Sequence, residues 1–392
     1  MAINLNTADM ALKSYYLDVI AEQLNTKANP LLAQIKQSTS DVWGKEVRKL
    51  ATMGVNGGIG AGAEDGALPE AGGNQYKQMV ATLKNLYGTI EISDKAIRAS
   101  ANNSGAFVNL LTAEMESLVK ASSFNFGRML FGDGTGVVAK VASITMDGVV
   151  TLDSVKALAE GMKIDFYNES GDIIPAATGR TILSIDRGTK TIKINGVTIN
   201  ENLVSAGSLV TIQGSYENEI TGLKAIFDTS KNLYGVQRAT NAWVNPYVKD
   251  IAGEISELAI QTAIDEIEEV SGSKVNFIVC SWGVRRALQQ LFSANVRNID
   301  TVELSGGYKA MSYNGIPIVA DRFCDEGCMY LLNTDDFTLH QLCDWQWLEG
   351  EDGSVLRQVP GKAVYTATLV KYAELMCEKP CGQGLIKGIT EA

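Results

Sequence analysis

Between Met53 and Tyr76 the chain places eight glycines, Gly54, Gly57, Gly58, Gly60, Gly62, Gly66, Gly72 and Gly73, in a stretch with almost no large apolar residue. Such a stretch cannot fold onto itself, because glycine loses the most conformational freedom on ordering and gives no side chain to a core. Strand-like alternation brackets it, Val42 to Leu50 before and Gln78 to Ser93 after. It therefore reads as a long two-stranded arm with a glycine-rich tip, not as a tail or an interdomain linker. An arm that buries nothing within its own subunit is most simply ordered by lying on a neighbour. Assembly, rather than catalysis, is the first expectation.

A chain of 392 residues is long enough for two or three globular units. Its net charge of −11 disfavours a general nucleic-acid binder, which needs Lys and Arg in excess to neutralise phosphates, but suits a protein that encloses DNA without gripping it. No apolar run is long enough for a membrane span and Met1 is followed by a mixed polar segment, so a soluble protein that starts out in the cytoplasm is expected. The cysteines Cys280, Cys324, Cys328, Cys343, Cys377 and Cys381 include two C-x3-C spacings. Zinc would tolerate that spacing. The turn around Asp325-Glu326-Gly327, the interruption by Pro380 and the absence of an accompanying histidine favour reduced, partly buried thiols instead.

Along the chain, Met10, Leu12, Tyr15, Tyr16, Val19, Ile20 and Leu24 repeat with helical spacing until Asn29-Pro30, giving a short N-terminal arm. From Asn109 to Phe131 the residues Leu111, Met115, Leu118, Val119, Ser122, Phe126, Met129 and Leu130 follow the 3.6 period, predicting a long helix that stops at Gly132-Asp133-Gly134-Thr135-Gly136. Between about Val141 and Tyr216 the texture becomes short alternating runs with turns, which predicts an inserted antiparallel barrel or sandwich. Mixed α/β character then resumes. Ile251, Ile255, Leu258, Ala259, Thr262, Ala263 and Ile267 read as a helix, Val275 to Cys280 as a buried strand and Trp282 to Phe292 as a second helix. Ile316 to Val319 and Met329 to Leu332 read as further strands, and Phe337 to Leu348 with Ala363 to Met376 as strands that pair with the unit holding the long helix.

Catalytic signatures are thin. The single histidine, His340, lies in strand-like sequence and reads as a satisfied strand residue rather than part of a triad or metal site. Gly134-Thr135-Gly136-Val137-Val138-Ala139 fits a dinucleotide fingerprint formally, yet it follows a helix and precedes a strand, the reverse of what phosphate binding needs. The glycine-rich tip lacks the G-K-[ST] of a phosphate cradle. Trp345 and Trp347 read as core. No catalytic, cofactor or metal residue is assigned. Candidate inter-subunit contacts are Gly57, Gly58, Gly60, Glu64, Asp65, Glu70 and Tyr76. The three acids would pair with Lys or Arg of a neighbour and fix register; a solvated loop kept soluble by charge is the competing account.

The order of arm, glycine-tipped hairpin, long helix, glycine-rich break, α/β unit and returning strands resembles the major capsid proteins of tailed bacteriophages, the Hong Kong 97-type fold. The match is carried by Leu83 to Asp94, by Phe131 to Gly136 with Ile220-Thr221-Gly222-Leu223, and by Tyr313 to Val319 with Met329 to Asn333. The resemblance implies an α+β fold with 1–41 as N-terminal arm and 42–93 as extended loop. Residues 94–140 plus 336–392 would form a peripheral domain with its spine helix, and 217–335 an axial domain; the inserted all-β domain, 141–216, falls outside the resemblance and is not part of the minimal fold. It further implies hexamers and pentamers closing an icosahedral shell around double-stranded DNA, in a virion assembled in the host cytoplasm. A separate scaffolding protein, a portal and decoration proteins are the implied partners, with no membrane. Two rivals remain: an encapsulin-type compartment of the same fold, and an α/β enzyme using a pocket near His340 or Cys280.

Overall fold

The computed structural model describes residues 29–95, 104–145, 148–196, 199–295, 301–303, 309–350 and 353–392. The helical spacing expected between Met10 and Leu24 lies outside them.

A short helix α1 (Pro30–Gln34) leads into β1 (Lys36–Ser38). The arm follows as β2 (Glu46–Met53) and β3 (Gln75–Thr82), paired antiparallel from Glu46↔Thr82 to Met53↔Gln75. Eight residues per strand give the ladder a reach of roughly 27 Å. The expected single run from Gln78 to Ser93 divides at Leu83: β3 stays with the arm, while β4 (Lys84–Ser93) joins another sheet. The first strand also starts at Glu46 rather than Val42.

Helix α2 (Ser104–Phe131) has 28 residues and spans about 42 Å. Its buried Met115, Val119, Phe126, Met129 and Leu130 cover Leu86, Ile90 and Ile92 of β4 in one core. The strands β5 (Val137–Ile144), β6 (Val149–Leu152), β7 (Lys163–Tyr167), β8 (Arg180–Asp186), β9 (Thr191–Ile194) and β10 (Leu209–Ile212) close into a barrel with a core of its own. Its first strand begins at Val137, ahead of the expected Val141, directly after the glycine-rich break. Because β10 pairs with β5, the chain enters and leaves the barrel side by side.

That crossing needs Gly136. Its φ is +78°, and a Cβ there would collide with the Ser215 carbonyl oxygen. Gly136→Ala is expected to cost about 2–4 kcal/mol from left-handed strain plus overpacking, read as a lower denaturant midpoint with unchanged slope.

After the barrel come α3 (Leu223–Phe227), β11 (Tyr247–Gly253), α4 (Glu257–Ser271), β12 (Phe277–Cys280), α5 (Trp282–Asn295), β13 (Thr301–Glu303), β14 (Lys309–Tyr313), β15 (Ile316–Ala320) and β16 (Met329–Leu332). The helix expected to include Ile251 and Ile255 starts later: Ser256 caps α4, its side chain accepting the Ala259 N–H at 3.1 Å, and Ile251 lies in β11. The chain closes with β17 (Phe337–Trp347), β18 (Arg357–Gln358), β19 (Val364–Cys377) and β20 (Gly384–Ile389).

Two large sheets result. One holds β1, β17, β19 and β18, with β4 paired to β19 from Val364↔Ser93 to Ala373↔Lys84, so the returning strands do join the unit of the long helix. The other runs β11-β20-β16-β12-β15-β14-β13. Here β20 crosses over: although it falls within 336–392, it sits between β11 and β16 in the sheet of the 217–335 unit. Alternation along β12 serves both faces of that sheet. Phe277 and Val279 join the core under α2, while Ile278 and Cys280 pack with α4 and α5 through Ile260, Ile267, Val284 and Leu288.

Candidate assembly interface

Gly57, Gly58, Gly60, Glu64, Asp65 and Glu70 all lie on the tip between β2 and β3, and Tyr76 sits in β3 just beyond it; all are exposed except half-buried Gly58. The tip has no regular structure. Its two limbs meet at Gly58 and Gly72, where a Cβ on Gly58 would stand 2.7 Å from the Gly72 nitrogen, an approach open only to glycine. Asn56 Oδ1 accepts the Gly58 N–H at 2.9 Å, and Asn74 Nδ2 donates to the Tyr76 hydroxyl at 3.2 Å. Glu64, Asp65 and Glu70 form no ion pair with any described residue.

Sequence reading overlooked the apolar side chains of the arm. Trp43 is 85% exposed, Leu50 67%, Val55 84%, Ile59 81% and Leu68 90%. Single exposed apolar residues are ordinary, but this many on one thin projection form a contact surface without a partner among the described residues. The signal for three of them was present: Val55, Ile59 and Leu68 are the large aliphatic side chains among the glycines.

The arm does bury something, contrary to the sequence expectation. Val47, Met79 and Ala81 at its root enter the main core, and Lys49 bridges Asp41 at 3.6 Å and Glu378 at 3.2 Å. The root is fixed while the tip is free.

His340 is fully buried in β17, as a strand residue should be, yet neither ring nitrogen has a hydrogen-bond partner among the described residues, so it is not the satisfied histidine expected. Burial, with the nearby Lys49 charge, holds its pKa below the ordinary value. Trp345 and Trp347 are buried, Trp345 meeting Phe126 edge to face at 6.4 Å. The cysteines are free; burial pushes the Cys280 thiol up to about 12 and Cys328 to about 11, which makes both poor nucleophiles near neutrality. Among the described residues no group of three or more His, Cys, Asp or Glu side chains is placed to hold a metal ion, and no helix is long and apolar enough to cross a membrane.

The connector leaving the barrel is held at three points. Lys84 Nζ donates to the Glu217 carbonyl at 2.8 Å, Arg128 forks onto both Glu219 carboxylate oxygens with Nη1 to Oε2 at 2.8 Å, and Glu374 of β19 accepts the Thr221 N–H at 2.6 Å. Burial pushes the Glu374 carboxyl up to about 7, against the pull of the Thr221 hydrogen bond. A carboxyl whose folded pKa exceeds its ordinary 4.5 favours folding most at low pH, and that contribution is lost as pH rises through about 7. Glu374→Gln keeps an acceptor oxygen and no charge. It is expected to raise stability at pH 8 by up to ~3 kcal/mol and to flatten the pH dependence between 5 and 8, measured by denaturant titration at several pH values.

No protein-family model matches the chain, and no curated protein matches it by sequence. Among solved structures it is similar to the capsid asymmetric unit of cyanophage A-1(L), at 13% identity over 94% of this chain and 92% of that one, with a TM-score of 0.54. Two further similarities have TM-scores of 0.46. One is the capsid of a native GTA particle, with 12% identity over 93% and 91% of the two chains. The other is the holo-encapsulin complex of Synechococcus elongatus PCC 7942, with 8% identity over 92% and 86%. On the first of these similarities, the fold is that of a phage capsid subunit.

Proposed function

From that fold as premise, we propose that the chain is the major capsid protein of a tailed bacteriophage, building hexamers and pentamers of an icosahedral shell that encloses packaged double-stranded DNA. The observation that carries the reading is the arm: rooted in the core at Val47, Met79 and Ala81, and exposing Val55, Ile59 and Leu68 at a tip that joins no core among the described residues. A protruding apolar surface of this kind calls for a second copy. The net charge of −11 agrees with a wall that should not bind its contents tightly. On this reading the unit built on α2, β4, β17 and β19 is the peripheral domain, the seven-stranded sheet with α4 and α5 is the axial domain, and the barrel is an insertion. A separate scaffolding protein, a portal and decoration proteins are the partners, the protein resides in the virion after assembly in the host cytoplasm, and no catalytic role is assigned.

Expression alone and with a candidate scaffolding protein, followed by negative-stain electron microscopy and sedimentation, tests it. Closed shells, or rings of five and six, are expected. A compact monomer under both conditions would overturn the reading.

A further inference from the structure

Between the barrel and the rest of the subunit lies a cleft of about 710 Å³ with Phe323 on its wall. Charges line it unevenly. Asp325 and Glu326 are spent on Lys224 at 3.0 Å and Lys156 at 2.9 Å. Asp133 accepts hydrogen bonds from Thr135, and Asp153 accepts the Lys140 backbone N–H. The cations Lys140, Arg187 and Lys190 in the lining, and Arg322 next to Phe323, have no carboxylate partner among the described residues. Arg187 reaches only the Val155 and Leu158 carbonyls, at 3.4 and 3.5 Å, and Lys190 only the Asp153 carbonyl at 3.1 Å. Arg322 lies over the rings of Phe124 and Phe323, 4.6 and 5.3 Å from their centroids. Burial and the neighbouring Arg187 charge both push its pKa below the ordinary guanidinium value. Arg187 and Arg322 thus stand near each other with no ion pair among the described residues, and in a chain of net charge −11 such a pair attracts an anionic partner.

The same chain carries a complement. Residues 54–74 contain Glu64, Asp65 and Glu70 and no Lys, Arg or His, and they present Leu68 and Ile59 alongside. We propose that the cleft receives the acidic, glycine-rich tip of a second copy's arm, with Arg187 and Arg322 facing the Glu64, Asp65 and Glu70 carboxylates and Phe323 offering an apolar wall to Leu68. This rests on the capsid reading and adds to it a landing place for the arm. Glycine-rich backbone suits such a site, because it lets carboxylates on a short segment adapt to cations fixed on two different elements.

Charge reversal tests it on the full chain. Arg187→Glu with Arg322→Glu, and separately Glu64→Lys with Asp65→Lys and Glu70→Lys, are each expected to reduce closed shells in sedimentation at least tenfold. All five substitutions together are expected to restore them. Thermal transitions of the variants verify folding; if the reversed cleft destabilises the subunit, Arg187→Ala with Arg322→Ala serves instead, with shell yield expected to lose its sensitivity to added salt. Shells of wild-type yield from either reversed set, or no recovery on combination, would overturn the cleft while leaving the capsid reading intact. A cleft reversal that blocks assembly only in the presence of scaffolding protein, with the tip reversal silent, would also overturn it, assigning the cleft to that protein. Failure of the wild type to form any shell would remove both.

Discussion

Replacing residues 54–74 by a two-residue Asn-Gly turn is expected to abolish closed shells and leave a folded monomer. Met53 and Gln75 are paired across the ladder, so a two-residue turn closes β2 onto β3 in register. The deleted segment contributes nothing to the cores, whereas Val47, Met79 and Ala81 remain seated. Unfolding should therefore shift by no more than about 1 kcal/mol, in either direction, since the removed glycines chiefly cost entropy on ordering. Assembly, by contrast, loses Val55, Ile59, Leu68 and the three acids on every subunit at once. The contrast between unchanged unfolding and absent shells, read by denaturant titration and sedimentation of one preparation, separates an assembly defect from a folding defect. Normal shells from the shortened arm would assign the tip no role in assembly.

The largest stability effect is expected at Arg128. Its side chain is 7% exposed and that of Glu219 2%, and the fork between them joins the C-terminal half of α2 to the connector leaving the barrel. Arg128 also donates to Asn125 Oδ1, at 3.1 Å through Nε and 2.7 Å through Nη2. Removing one member leaves a buried carboxylate uncompensated, so Arg128→Ala should cost about 3–5 kcal/mol. Replacing both partners with apolar residues, Arg128→Met with Glu219→Leu, removes the charge and the desolvation together and should recover most of that loss. A double mutant no more stable than the single would show that the pair contributes attraction rather than compensation. Although Lys84 and Glu374 hold the same connector, the single mutant should also loosen it locally, seen as faster amide exchange across residues 217–222.

Local signals made much of this architecture legible. The 3.6 period of α2, its glycine-rich stop and the turn-separated runs of the barrel are written in neighbouring residues, and neighbouring residues formed them. The resemblance to phage capsid proteins held at the level of fold, because it rested on the order of such elements. What stayed hidden depended on distant partners. Nothing local tells Ile251 to leave a helical pattern; β11 exists because β20 offers it a parallel partner far along the chain. The break at Leu83 exists because β3 and β4 answer to different strands, β2 and β19. His340 could be placed on a strand from alternation, but its unpartnered nitrogens depend on what packs over the sheet. At the arm, Trp43, Leu50 and Leu68 have the side chains of core residues, and only the structure shows that no described residue covers them.

The pairing of β4 with β19 joins Ser93 to Val364. During synthesis at roughly 5–20 residues per second, on the order of 15 to 50 s separates the emergence of these two strands from the ribosome. Throughout that interval Leu86, Ile90 and Ile92 of β4 have no sheet to complete, and a nascent chain with such an open face is a substrate for chaperones and for aggregation. The arm is translated first and gains its footing last. If arms dock on neighbouring bodies as proposed, neighbouring chains on one polysome would display arms long before any of them offers a finished body to receive one, a delay that would keep premature shells from forming on the message.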